Sequence, residues 1–267
     1  MISDVHLGTA SCQAGELLSY LNSINPGKLI LNGGLIAMFP TGENYFPKSH
    51  FEVIKRIIEM ASKGTSVFCI CGNNNLISSK LKGLKLGNIH LVEELELNLD
   101  GKKAWFVHGD TFNFRFPLAR AMAKSGKLGF KFFKGLNRLD TRLKQVFKIP
   151  ESRLKKGMEN KVKFHVKPTA NFELTVSSIA IAMGYKYVVC GHNHQPDMRR
   201  KVTKKGICLY LNSGDWIKNL TALEYKNKRW DLYRFQDDKL SPFYSDEELK
   251  SLNYNELLAS IMISGKH

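Results

Sequence analysis

Four short apolar runs in this chain each end in a turn carrying aspartate, histidine or asparagine. Asp4-Val5-His6 follows Ile2, and Gly72-Asn73 follows Val67–Cys71. His108-Gly109-Asp110 follows Trp105-Phe106-Val107, and Gly191-His192-Asn193-His194 follows Val188-Val189-Cys190. Parallel strands bring their C-terminal ends to one edge of a sheet, so groups remote in sequence converge there. Mixed aspartate, histidine and asparagine suit Mn²⁺, Fe²⁺ or Zn²⁺ at a catalytic centre, unlike the all-thiolate sets of structural zinc. One such turn means little. Four in a row restrict the chain to an α/β layout.

The intervening sequence agrees. Leu29–Asn32, Val67–Cys71 and Ala104–Val107 read as strands, and Ser49-x-x-Glu52 reads as a capping box opening a helix. Val53, Ile54, Ile57, Ile58 and Ala61 then recur on one helical face. A helix is expected from about Phe172 to Met183, then strands at Tyr187–Cys190, Ile207–Leu211, Ala222–Tyr225 and Trp230–Phe235. Consecutive strands there suggest antiparallel pairing and a second sheet. The strand at Leu29–Asn32 runs into Gly33-Gly34, a tight turn whose only polar side chain is Asn32. The five cysteines form no CxxC pair and read as reduced thiols of a cytoplasmic protein. No run reaches the roughly 18 apolar residues of a membrane span, and the N-terminus has no signal-peptide pattern.

The formal charge of +16 is concentrated in one stretch: Arg115 to Lys167 holds sixteen lysines and arginines against three acids. Within it Phe132, Leu136, Leu139, Leu143 and Phe147 fall on one helical stripe, flanked by Lys131, Lys134, Arg138 and Arg142. The stretch reads as a basic helical cap, residues 112–167, inserted into a main domain of residues 1–240, with a tail at 241–267. Its partner would be anionic, a membrane surface or a nucleotide-lipid; a solvated helical face is the plain alternative. No helix-turn-helix or aromatic RNA-binding motif accompanies the charge, so no nucleic acid is expected. Nothing points to a protein partner.

Taken together, D-x-H, G-N, a later histidine and G-H-x-H resemble the blocks of the calcineurin-like metallophosphoesterases. "SDVHLGT", "YFPKSHFEVIKRI", "FVHGD", "GHNHQP" and "LNSGDWIKNLTALEY" are similar to stretches of the UDP-2,3-diacylglucosamine pyrophosphatases of that superfamily. The resemblance runs from about Ile2 to Tyr233. It implies a two-sheet α/β sandwich flanked by helices, with the basic segment as a cap. It also implies a first metal site of Asp4, His6 and His194, and a second of Asn73, His108 and His192. Hydrolysis of a nucleotide-lipid to a lipid phosphate and UMP is the chemistry implied, with Lys131, Lys134, Arg138 and Arg142 meeting lipid or phosphate.

Two positions depart from the pattern. The family's bridging aspartate falls on Gly34, with Ala37 at the block's second aspartate, and its pocket histidine falls on Asn74. Without the bridge the second set has no carboxylate, so one ion rather than two is expected, Mn²⁺ first and Fe²⁺ or Zn²⁺ next. Two readings follow: a phosphoesterase of impaired activity, or a non-catalytic module binding anionic lipid or nucleotide. Either would work in the cytoplasm, peripheral on the inner membrane face. Only Met1 and Ile2 precede Ser3-Asp4, where a central strand wants about five residues. An upstream start or a truncated strand is expected, with Asp4 and His6 on a frayed end if the chain begins there.

Overall fold

A computed structural model describes residues 1–36, 46–71, 83–110 and 168–240. The elements are β1 (Ile2–Ser3), α1 (Ala14–Ser23), β2 (Lys28–Asn32), α2 (Lys48–Ser62), β3 (Ser66–Ile70), β4 (Lys85–Leu86), β5 (Ile89–Val92), β6 (Glu94–Leu99) and β7 (Lys102–Val107). After the basic stretch come α3 (Pro168–Ala182), β8 (Tyr187–Cys190), β9 (Asp197–Thr203), β10 (Gly206–Asn212), β11 (Thr221–Lys226), β12 (Arg229–Arg234) and α4 (Phe235–Leu240).

They form two five-stranded sheets, in the orders β1-β2-β3-β5-β4 and β6-β7-β8-β10-β9, and a separate β11-β12 ribbon. Within the first sheet β1, β2, β3 and β5 are parallel, and within the second β7, β8 and β10 are parallel. Strand periodicity of two sorts the side chains into layers. Ile30, Ile70, Ala104, Phe106, Val189 and Leu211 share a core between the sheets. Leu29, Leu31 and Val67 point the other way, into a cluster with Leu17 and Leu21 of α1 and Val53 and Ile57 of α2. Trp105, Val188 and Tyr210 meet Val176 and Ile179 of α3. The result is an α/β sandwich with helices outside both sheets.

Several expectations need correction. The capping box does not form: Pro47 is the N-cap of α2, with no side-chain capping hydrogen bond. Its ring fixes φ at −67°, so the helix starts at Lys48 and Ser49 lies inside it. Ile58 is exposed, because the buried stripe runs through His50, Val53, Ile57, Met60 and Ala61. β7 belongs to the second sheet, paired with β6 and β8. The closing strands do not simply meander. β10 is parallel to β8, with the unforeseen β9 antiparallel at the edge, and β11 and β12 stand apart as a ribbon.

β1 is short but not frayed. Ile2 and Ser3 pair in parallel with Leu31 and Asn32, and the Leu223 N–H donates to the Met1 carbonyl. Beyond it His6 N–H donates to Gly34 O and Leu7 N–H to Leu35 O, so the segment carrying Asp4 and His6 is held on both flanks. All five cysteines are free, with Cys12, Cys190 and Cys208 buried and Cys69 and Cys71 half-buried. Among the described residues no helix is long and apolar enough to cross a membrane. The expected cap at 112–167 and the tail at 241–267 lie outside the described residues.

Candidate metal centre

The ends of β1, β2, β7, β8 and β10 meet at one edge of the sandwich, contributed by both sheets. Asp4 is the hub. It is 2% exposed, and its Oδ2 accepts the His192 backbone N–H at 2.8 Å. Its Oδ1 faces three imidazoles: His194 Nε2 at 3.8 Å, His108 Nε2 at 3.9 Å and His6 Nε2 at 4.0 Å. Ligand atoms of Asp4, His6 and His194 all lie within 4.8 Å of one another. The His6 and His194 rings stack at 5.5 Å.

Neighbours set the outward nitrogen of two of the rings. His108 Nδ1 lies 3.1 Å from the Asn32 carbonyl, an acceptor, so Nδ1 carries the proton and Nε2 offers its lone pair toward Asp4. His194 Nδ1 likewise donates to Asp215 Oδ2 at 3.1 Å. His6 Nε2 is buried with no hydrogen-bond partner. A carboxylate oxygen and three imidazole nitrogens facing one space are a donor set that a divalent transition metal fits. An unpartnered buried ring nitrogen is otherwise a cost.

Charge balance agrees. Burial lowers the His6 pKa and that of His192, against nearby carboxylates, which keeps both rings neutral and able to coordinate. His194 moves the other way, raised by its hydrogen bond to Asp215. Burial alone would push the Asp215 carboxyl up. Donation from His194 and from the Asn219, Lys218 and Ile217 backbone outweighs it and holds the group well below the usual carboxylate range.

The backbone is strained where the ligands sit. Asp4, His6, His192 and His194 all have positive φ, between 51° and 72°. Non-glycine residues there cost of order 1–3 kcal/mol each and persist only when the surroundings impose them. The double glycine now has a structural explanation. A Cβ on Gly33 would lie 2.1 Å from His108 Nδ1, so only glycine leaves room for that ring. Gly34, at φ +53°, backs onto Asp4 and His6. Asn32 ties the two sheets together, its Nδ2 donating to the Val107 carbonyl.

Of the expected first set, Asp4, His6 and His194 come together. Of the second, His108 reaches Asp4 Oδ1, while the His192 ring packs beside His108 at 5.2 Å and its backbone serves Asp4. Asn73, Asn74 and Ala37 lie outside the described residues, as do Lys131, Lys134, Arg138 and Arg142. Asp215 was not anticipated, although it stands in the "LNSGDWIKNLTALEY" stretch. An aspartate just past an apolar strand run was the only sequence signal for it.

No protein-family profile matches the chain. A UDP-2,3-diacylglucosamine hydrolase of Aliivibrio fischeri is 23% identical over 249 residues, covering 87% of this chain and 96% of its own. One of Hahella chejuensis is 23% identical over 222 residues, covering 80% and 88%. Among solved structures, a phosphoesterase from E. coli aligns over 88% of this chain and 92% of its own at 14% identity and a TM-score of 0.45, too low to bear on the fold. The two curated relatives align over 80–87% of this chain, so along most of its length the chain is similar to UDP-2,3-diacylglucosamine hydrolases.

Proposed function

We propose that the chain is a metal-dependent phosphoesterase acting on a nucleotide-lipid such as UDP-2,3-diacylglucosamine, with turnover impaired by Gly34 and Asn74. The observation that carries this is the grouping of Asp4, His6 and His194. A divalent cation held there would polarise a phosphoryl oxygen and lower the pKa of a bound water. Asp4 would supply the anionic ligand and His6 and His194 the neutral ones. Mn²⁺ suits this mixed oxygen and nitrogen set, and one ion suits its single carboxylate.

The experiment is metal analysis of purified protein beside turnover of UDP-2,3-diacylglucosamine with and without Mn²⁺. About one equivalent of metal is expected, lost in His194→Ala and retained in Asn73→Ala, with slow Mn²⁺-dependent release of UMP. Two tightly held equivalents would show that another group replaces the missing bridge. Metal binding without any release of UMP would favour the second reading, a binding module for anionic lipid or nucleotide. The intact scaffold alongside Gly34 and Asn74 motivates that reading.

The basic stretch is proposed as the membrane- or lipid-facing element, peripheral on the inner membrane face. Each basic side chain near an anionic surface contributes about 1 kcal/mol. Reversing charge at Lys131, Lys134 and Arg138 should therefore weaken binding to anionic vesicles at low salt by an order of magnitude or more. Unchanged vesicle binding would leave the segment with no membrane role.

A further inference from the structure

The His194 side chain is 39% exposed, so packing alone does not fix its ring. Asp215 does. This aspartate is 3% exposed, in the turn after β10. Its Oδ1 accepts three backbone N–H groups, from Lys218 at 2.8 Å, Asn219 at 2.9 Å and Ile217 at 3.1 Å. Its Oδ2 accepts Asn219 Nδ2 at 3.0 Å and His194 Nδ1 at 3.1 Å. The same Asn219 Nδ2 reaches the His194 carbonyl at 2.8 Å. Ring and backbone of His194 are therefore clamped by one turn. That turn also touches Asp4, whose carbonyl accepts the Trp216 N–H.

We propose that Asp215 is a positioning residue that makes His194 a metal ligand, by holding its Nδ1–H and so leaving the Nε2 lone pair aimed at Asp4 Oδ1. The inference rests on the reading of this site as a cation site. An ionised carboxylate only accepts, so Oδ2 selects the tautomer with the proton on Nδ1. Three N–H donors at Oδ1 fix which way the carboxylate faces. Such carboxylate–histidine pairs orient metal-binding rings, and their loss typically weakens metal affinity about 10- to 100-fold.

Asp215→Asn tests the chemistry with little change of shape. The three backbone donors would keep the amide oxygen at the Oδ1 position, so the amide NH₂ would turn toward His194 Nδ1 and give up the bond from Asn219 Nδ2, which keeps its bond to the His194 carbonyl. A donor there favours the opposite tautomer, with hydrogen on Nε2, where it blocks coordination. The readouts are imidazole ¹⁵N NMR of the metal-free protein, at a pH where the ring is neutral, and titration with Mn²⁺ or Co²⁺.

The unmodified protein should show His194 with its proton on Nδ1. Asp215→Asn should show it on Nε2 and bind either cation about 10- to 100-fold more weakly. The NMR measurement on the unmodified protein needs no variant to fold and no metal to bind, so it separates this inference from the phosphoesterase reading. A proton on Nε2 in the unmodified protein overturns the proposal. So does a folded Asp215→Asn variant with the Nδ1–H tautomer and unchanged affinity, which would reduce Asp215 to a brace of its own turn.

Discussion

Gly34→Asp combined with Asn74→His should raise Mn²⁺-dependent phosphodiester turnover by at least about 10²-fold over the unmodified chain. Removing one preorganised electrostatic group commonly costs about 10²–10³ in rate, and the proposed reading has two such groups replaced, at Gly34 and Asn74. The geometry at position 34 makes the repair specific. Its φ of +53° lies in the left-handed region, which aspartate enters more readily than most residues. A Cβ there would meet Asp4 Cα at 3.1 Å, Asp4 Oδ1 at 3.2 Å and His6 Nε2 at 3.3 Å. A new carboxylate would thus start beside two ligand atoms, after a shift of a few tenths of an ångström. Gly34→Asp alone should raise metal retention toward two equivalents, and Asn74→His alone should do less. Turnover is to be measured on a chromogenic phosphodiester and on UDP-2,3-diacylglucosamine. Should the unmodified protein already match the double variant, the impairment attributed to Gly34 and Asn74 does not exist.

Gly33→Ala should be the most damaging small substitution in the described residues around the site. Its Cβ would fall 2.1 Å from Nδ1, 2.3 Å from Cε1 and 2.4 Å from Cγ of His108, with φ at +70°. The ring cannot retreat without giving up its bond to the Asn32 carbonyl. Overpacking costs about 1–3 kcal/mol and left-handed backbone about 1–2 kcal/mol more. A loss near 3 kcal/mol in denaturant unfolding is the expected result. Gly64→Ala is the control, since Gly64 also has positive φ, +105°, but no atom within 4 Å of its Cβ. Equal losses in the two variants would show that backbone strain alone, rather than His108, demands glycine at position 33.

The parallel core of this fold was legible because buried strands announce themselves as apolar runs. Tyr187–Cys190 is a strand over the residues expected. Leu29–Asn32 gained only Lys28. The partly exposed β11 and β12 were found, but β4, β5, β6 and β9 were not. β9 is Asp197–Thr203, whose basic side chains hide its alternation, although Leu95, Leu97 and Leu99 of β6 do alternate. Sheet membership was also beyond reach, because a run such as Trp105-Phe106-Val107 is equally apolar whichever neighbour it pairs with. At the site, ligands were legible as residue types after strands. His108 beside Asp4 required the meeting of two sheets, and Asp215 behind His194 the pairing of β8 with β10, neither of which a local pattern encodes.

The left-handed backbone of Asp4, His6, His192 and His194 has a consequence for how the protein must be handled. At about 1–3 kcal/mol apiece these conformations consume a sizeable part of the 5–15 kcal/mol that separates a typical folded domain from its unfolded chain. A cation bound only by the folded form returns stability by mass action, about 2.7 kcal/mol when its free concentration is a hundredfold above Kd. Chelator would then do more than silence the site. It would leave the strain uncompensated, and inactivation on metal removal would begin as a loosening of these turns, restored by adding metal back only while the sandwich behind them holds.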